Sequence, residues 1–217
     1  FDYFKGTLPE FPAGKPLFIF ASHFHADHYA SVIFQLGEKR ENVFYILSKE
    51  IGKKIPEEYR KRYKDRIRLV KAGERFCLNI SEESLIVETF HSTDEGVAFW
   101  LSCEGKEIYH AGDLNNWWWE GEDMAWNRNM AASYKQEMKK LSGRTADLAF
   151  IPVDPRQEQW FYLGAAGFME QADTKWIFPM HFWEDYTIIP KLIEHPSSEG
   201  WRDRIVEIHK EGEEFIR

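Results

Sequence analysis

The sequence is poor in what several protein classes require. Its 217 residues contain two cysteines, Cys77 and Cys103, too few for a disulfide framework and too far apart for a CxxC metal or redox motif. No apolar run approaches the roughly 20 residues that cross a bilayer, which excludes a membrane-spanning helix. Basic residues are in the minority: Lys+Arg 28 against Asp+Glu 36 leaves a formal charge of −8. That balance disfavours a protein built to grip nucleic acid or an anionic membrane. There is no GxSxG elbow and no GxxxxGK[ST] loop, so neither a serine hydrolase nor a P-loop nucleotide site is indicated. Repeats, low-complexity tracts and long linkers are missing too, and a single domain over 1–217 is expected. Phe1-Asp2-Tyr3-Phe4 lacks the charged and apolar regions of a signal peptide. It reads as the inside of a folded domain, so a fragment or processed form acting in the cytoplasm is the expectation.

What is present is a series of short apolar runs alternating with helical patterns. Strands are expected at 17–21, 43–47, 75–80, 85–90, 97–103 and 107–111, with Glu104-Gly105 as a tight hairpin turn between the last two. Helical spacing appears around 30–36, at 56–64, and at Met130, Tyr134, Met138 and Leu141, which share one helix face. Further strands are expected at 148–153 and 176–179, helices at 161–171 and 188–194, and a closing strand pair over 205–216 turning at Glu211-Gly212. The mixture points to a layered α/β protein. Cys77 and Cys103 fall in strand patterns and are expected to be small buried hydrophobes.

The chemistry is concentrated in Ser22-His23-Phe24-His25-Ala26-Asp27-His28, directly after the first strand. Two histidines two residues apart at a strand end turn their rings to one side. Asp27 and His28 follow where the chain bends. A single ion rarely needs four such ligands, whereas two neighbouring ions use them well. Asp113, in His110-Ala111-Gly112-Asp113, and His181, in Phe178-Pro179-Met180-His181, close later strands and offer a bridging carboxylate and an imidazole. Trp117 and Trp118 follow Asp113 and are candidates for a substrate wall. Arg156 ends the strand from 148 and is a candidate partner for a carboxylate or phosphate. His110 is a candidate supporter of a ligand, whereas His195 and His209 carry no signal.

This HxHxDH pattern after a buried strand, with a strand-ending Gly-Asp and a late strand-ending His, resembles the metallo-β-lactamase-fold hydrolases over essentially the whole chain. The stretch from Ser92 to Asp113 looks closest to uncharacterised bacterial members near the lactonase-like branch. The resemblance implies a four-layer αββα sandwich of two mixed β-sheets flanked by helices. Phe1-Asp2-Tyr3-Phe4 resembles the neighbourhood of the family's early aspartate, so the two leading strands are expected to be absent and the exposed edge to favour a homodimer. It also implies two divalent cations, zinc first and manganese or iron as alternatives. His23 and His25 would hold one; Asp27, His28 and His181 the other; Asp113 would bridge them. For the remaining ligand of the first ion, His91 and Asp94 both stand as candidates. Asp27 would in addition relay a proton. The implied activity is metal-dependent hydrolysis of a small-molecule ester or lactone, without membrane or nucleic-acid partners. A phosphodiesterase or nuclease of the same fold and a non-catalytic metal-binding protein are the alternatives.

Overall fold

The computed structural model describes residues 1–12, 14–80 and 83–215. The first third of the chain builds a parallel sheet of three strands in the order β1-β2-β3: β1 (Leu17–Ala21), β2 (Val43–Ser48) and β3 (Ile67–Val70). Helices α1 (Ile33–Glu38) and α2 (Glu57–Arg62) make the crossovers that parallel pairing demands. The remainder builds a six-stranded sheet in sequence order, from β4 (Arg75–Ile80) and β5 (Glu83–His91) through β6 (Val97–Cys103) and β7 (Lys106–His110) to β8 (Thr145–Pro152) and β9 (Asp173–Met180). Strands β4 to β7 pair antiparallel, and β7, β8 and β9 pair parallel across helices α3 (Met124–Lys139) and α4 (Leu163–Met169). Helix α5 (Ile188–Glu194) follows β9.

Alternation along the strands sorts the apolar side chains into three layers. On β6, Val97, Phe99 and Leu101 face the gap between the sheets, where they meet Phe20 of β1 and Ile46 of β2. Ala98 and Trp100, one step out of phase, join Tyr134 and Met138 of α3 and Phe168 of α4 on the outer face. On the smaller sheet, Ile19, Ala21, Tyr45 and Leu47 face outward against Ile33 and Phe34 of α1. The period of two therefore makes both sheets apolar on both sides, and helices cover the outer faces. This is an αββα sandwich. Each fully buried Phe or Ile in the middle layer contributes roughly 1.5–3 kcal/mol by leaving water.

Most expected elements form. The Glu104-Gly105 turn holds both residues at positive φ, 52° and 71°, as a two-residue hairpin with primed geometry requires. Helix α3 starts at Met124, earlier than the apolar repeat indicates, because the Asp123 carboxylate caps it by accepting the Trp126 N–H at 2.7 Å. Four features differ from expectation. The smaller sheet has only parallel pairs rather than a mixed pattern. Strand β3 was not indicated, because only four residues form it and Arg68 and Leu69 are exposed. The closing strand pair does not form among the described residues: Ile205 makes one bridge to Ile177, and the chain through 215 is otherwise not in strand, although Gly212 turns at φ 69°; Ile216 lies outside the described residues. Cys77 is exposed rather than buried, since it sits on edge strand β4 out of phase with Phe76 and Leu78, which pack toward the sheets' shared layer. Among the described residues no helix is long and apolar enough to cross a membrane.

Candidate metal centre

The C-terminal ends of β1, β7, β8 and β9 and the turn between β5 and β6 meet at one edge of the sandwich. The Ser22–His28 segment leaves β1 there, and two glycines let the chain close over it. A Cβ on Gly96, at φ 74°, would lie 2.0 Å from Ser22 O and 2.6 Å from His23 Cβ. A Cβ on Gly112, at φ 53°, would lie 2.6 Å from Ser22 Cβ. Both positions need the left-handed backbone and the missing side chain that glycine supplies.

Two groups of ligand-type atoms result, each with its atoms within 4.8 Å of one another: His23, His25, Asp94 and Asp113, and Asp27, His28 and His181. Asp113 touches both. Its Oδ2 is 3.3 Å from His23 Nε2, while Oδ1 is 2.8 Å from His181 Nε2 and 3.2 Å from His28 Nε2. Within the groups, His23 Nε2 faces His25 Nδ1 at 2.9 Å, and His28 Nε2 faces His181 Nε2 at 2.9 Å.

The outward-facing atoms decide which ring nitrogens carry protons. Asp2 can only accept, and its Oδ2 lies 2.8 Å from His28 Nδ1, so that nitrogen is the donor. Ser22 Oγ donates to Asp2 Oδ2 at 2.8 Å, which leaves its lone pair to accept from His23 Nδ1 at 3.0 Å. His181 Nδ1 faces Asp154 Oδ2 at 3.6 Å. In His23 and His28 the support lies at Nδ1, so Nε2 is the inward atom at which a cation would replace a proton; His181 also turns Nε2 inward, and its Nδ1 makes no hydrogen bond among the described residues. Imidazole nitrogens meeting in pairs around a carboxylate need positive charge between them, which protons supply when no metal is bound and cations would supply otherwise. Asp113 Oδ1 is buried and makes no hydrogen bond among the described residues. The donor set therefore fits divalent cations, and its N/O composition admits zinc, manganese or iron.

Electrostatics follow the same pattern. Burial penalises charge on Asp113, yet His181, His23 and His28 hold its carboxyl far below the usual range. Burial likewise opposes charge on His28, but Asp113, Asp2 and Asp27 push its pKa up to about 12. His181 is raised to about 9 against its own burial by Asp113 and Asp154. Asp27 is held ionised by its contact with His28, whose Nε2 lies 3.4 Å from Asp27 Oδ2. His110 is pushed down to about 3 by burial and stays neutral. It accepts the Gly112 N–H at 3.2 Å and stacks on Phe1 with ring centres 4.5 Å apart. His110 thus supports the turn carrying Asp113 rather than gripping a ligand.

The two candidates in the β5–β6 turn separate. Asp94 Oδ2 reaches within 4.0 Å of His25 Nδ1 and belongs to the first group. His91 is exposed, bonds Ser92 O through Nδ1, stands outside both ligand groups, and lines a groove with Trp126 and Met130 of α3 that Asp94 also borders. Trp117 is buried against His181 at 5.8 Å and donates from Nε1 to Asp113 O at 2.9 Å, which fixes the Asp113 backbone. Trp118 packs on Trp160 at 5.4 Å instead. Arg156 pairs with Asp154. His195 stacks on Tyr162, and His209 contacts Glu213, both outside the two groups.

Sequence reasoning missed the supporting layer of Ser22 Oγ and Asp154. Asp154 has the same signal as Asp113 and His181, a polar residue just past a strand of the parallel trio. After β9, His181, Trp183 and Glu184 all adopt positive φ, at 60°, 49° and 64°. Three non-glycine residues in this region cost of order 1 kcal/mol or more each, the kind of strain found where a side chain is aimed for function.

Neither a protein-family model nor a curated protein matches the sequence. Solved structures do align. CmlA from Streptomyces venezuelae, a diiron β-hydroxylase, matches at 12% identity and a TM-score of 0.45, over 76% of this chain and 35% of its own. Zn2+-bound PqqB from Methylobacterium extorquens matches at 10% identity and a TM-score of 0.42, over 76% and 62%. YhfI from Bacillus subtilis, a metallo-β-lactamase fold protein, matches at 10% identity and a TM-score of 0.40, over 76% and 64%. The aligned region thus spans about a third of CmlA and under two thirds of the other two.

Proposed function

We propose that the protein is a metal-dependent hydrolase of a small-molecule ester or lactone. The observation that carries this reading is Asp113, one buried carboxylate whose two oxygens face two separate imidazole groups. A single structural ion would not need that division. His23, His25 and Asp94 would hold one divalent cation, Asp27, His28 and His181 the other, and Asp113 would join them. Bound there, the cations supply acidity to water and polarise a carbonyl or phosphoryl oxygen.

The remaining work falls to side chains of the chain itself. Asp2 and Ser22 hold His28 and His23 in the tautomers that present Nε2 inward. Asp27, partly exposed and kept ionised by His28, takes up a proton on its carboxylate during attack and returns it to the leaving oxygen. A cleft of about 810 Å³ shares Asp27, His28 and His181 with Phe182, Trp183 and Met180, a size and lining suited to an organic substrate.

Purified protein reconstituted with zinc, manganese or iron is assayed against lactones, aryl esters and phosphodiesters. Metal-dependent turnover of esters or lactones is the expected result. Turnover of phosphodiesters alone would replace the substrate class. Metal content well below one ion per chain after reconstitution would sink the hydrolase reading.

A further inference from the structure

Behind His181, across Asp154, stands Arg156, a cation that the proposed chemistry leaves unused. Arg156 follows β8, in the turn after Asp154. Asp154 is fully buried. Its Oδ2 accepts from Arg156 Nη2 at 2.5 Å and from Trp183 Nε1 at 3.0 Å, and lies 3.6 Å from His181 Nδ1. Arg156 Nε completes a two-point grip on the same carboxylate at 2.9 Å and 3.1 Å. The guanidinium therefore stands one carboxylate away from a proposed metal ligand, in a fixed orientation.

Its other surroundings hold it there without satisfying it. The guanidinium carbon lies 4.5 Å from the Trp183 ring centre and 5.9 Å from that of Trp119. Trp183 in turn lies 5.7 Å from the His181 ring. Buried Gln157 links this turn to the tryptophan loop by accepting from Asn115 Nδ2 at 2.8 Å and donating to Asn116 O at 2.8 Å. Arg156 Nη1 makes no hydrogen bond among the described residues, and the side chain is 55% exposed. Asp27 and Asp113 both act on its charge, which places it within electrostatic reach of the centre. An Arg serving only as a structural ion pair has no need of two indole faces or of a free, exposed edge.

We propose that Arg156 is the anion-binding subsite of this centre, so that the preferred substrate is an ester carrying a carboxylate or phosphate group. The assignment rests on the hydrolase reading above and narrows its substrate class. The free edge of a guanidinium fork engages two anionic oxygens, a geometry lysine does not reproduce.

The test uses the metal-loaded protein, Arg156→Met and Arg156→Lys. Turnover of 4-nitrophenyl acetate is compared with the 4-nitrophenyl monoester of succinate, 4-acetoxybenzoate and bis(4-nitrophenyl) phosphate, which place the anion on the acyl side, the leaving group or the reacting centre. The wild type is expected to favour one anionic probe in kcat/KM. That preference should fall about tenfold or more in Arg156→Met, mainly through KM, in line with the loss of a charged hydrogen bond. Arg156→Lys keeps a cation on Asp154 and should lose an intermediate amount. A second readout, tryptophan fluorescence titrated with benzoate and phenylphosphonate, should show binding weakened by a similar factor in Arg156→Met. Equal affinities and an unchanged anionic-to-neutral ratio, with metal content intact, would overturn the subsite while leaving a hydrolase. No turnover of any probe by the wild type would overturn the hydrolase reading, and the fluorescence titration would then decide whether Arg156 binds anions.

Discussion

The two halves of the candidate centre are built to different standards. His28 and His181 expose 5% and 8% of their side chains and are backed by Asp2 at 9% and Asp154 at 0%. Across Asp113, His25 exposes 42% and Asp94 48%, and only His23 is fully buried. In the inner half the His28 ring is oriented by Asp2, from another part of the chain, before any cation arrives, and buried Asp154 stands behind His181. The outer half must fix two exposed side chains on binding, which costs conformational entropy. The difference teaches that the two proposed ions should not be equivalent: the inner one should bind more tightly and the outer one should exchange.

The sharpest way to break the comparison is to remove what the halves share. Asp113→Ala should lose both ions and all metal-dependent turnover, a loss exceeding the roughly 10–100-fold that removing a supporting residue costs. Metal analysis after gel filtration, read beside the turnover assay, checks it. One full equivalent of tightly held metal in this variant would show that the inner half stands without the bridge.

Asp2→Ala comes next and should act on one half. It removes the acceptor of His28 Nδ1 and of the Ser22 N–H and hydroxyl. Metal affinity at the inner half should fall about 10–100-fold. Competition with a chelator measures this directly. Asp94→Ala should act on the other half with a smaller effect, because its carboxylate is half exposed and 4.0 Å from His25. Loss of roughly one equivalent of the weaker metal, with the tighter one retained, is the expected stoichiometry. Reversal of the two outcomes would invert the ranking of the halves.

The asymmetry also explains what the sequence made legible. HxHxDH is local, so it stands out without a fold. Asp113 and His181 could be read because each closes a recognisable apolar strand. Asp2 lies 26 residues from His28; the resemblance marks its neighbourhood, but nothing local in the sequence names His28 and Ser22 as its partners. Asp154 reads as an ordinary turn aspartate until β7, β8 and β9 are seen to end side by side. The ambiguity between His91 and Asp94 is one of direction: residue type favours the histidine, but the β5–β6 turn brings the Asp94 carboxylate into the first ligand group and leaves His91 outside it. In the fold, long apolar runs such as 97–103 were readable, since two buried faces leave a continuous signal. Strand β3 was not, because Arg68 and Leu69 face water and four residues carry little pattern.

Stability against pH should separate the protein with and without its cations. A histidine whose pKa rises on folding stabilises the fold while it holds its proton. For His181, raised from about 6.5 to about 9, that contribution is complete below 6.5 and disappears as pH rises through 9. Protein stripped of metal should therefore lose thermal stability between pH 7 and 9. Metal-loaded protein should not follow, because cations already occupy Nε2 in the pH range concerned. Parallel melting curves across that range check the prediction, and identical slopes would mean that the inner half does not bind metal.

The smallest expected effect is the most discriminating for the outer half. His91 and Asp94 sit three residues apart in one turn, and either type can ligate zinc. The His91 ring bonds the Ser92 carbonyl and lies on the exposed side of the turn. Its backbone N–H, which Glu137 Oε2 accepts at 3.1 Å, survives any side-chain change. His91→Ala should thus shift stability by no more than about 0.5 kcal/mol and leave metal content untouched. If His91→Ala instead removed one equivalent of metal while Asp94→Ala did not, the turn would have to rotate on binding. The exposure of the outer half would then record a closure that metal completes, rather than a weaker site.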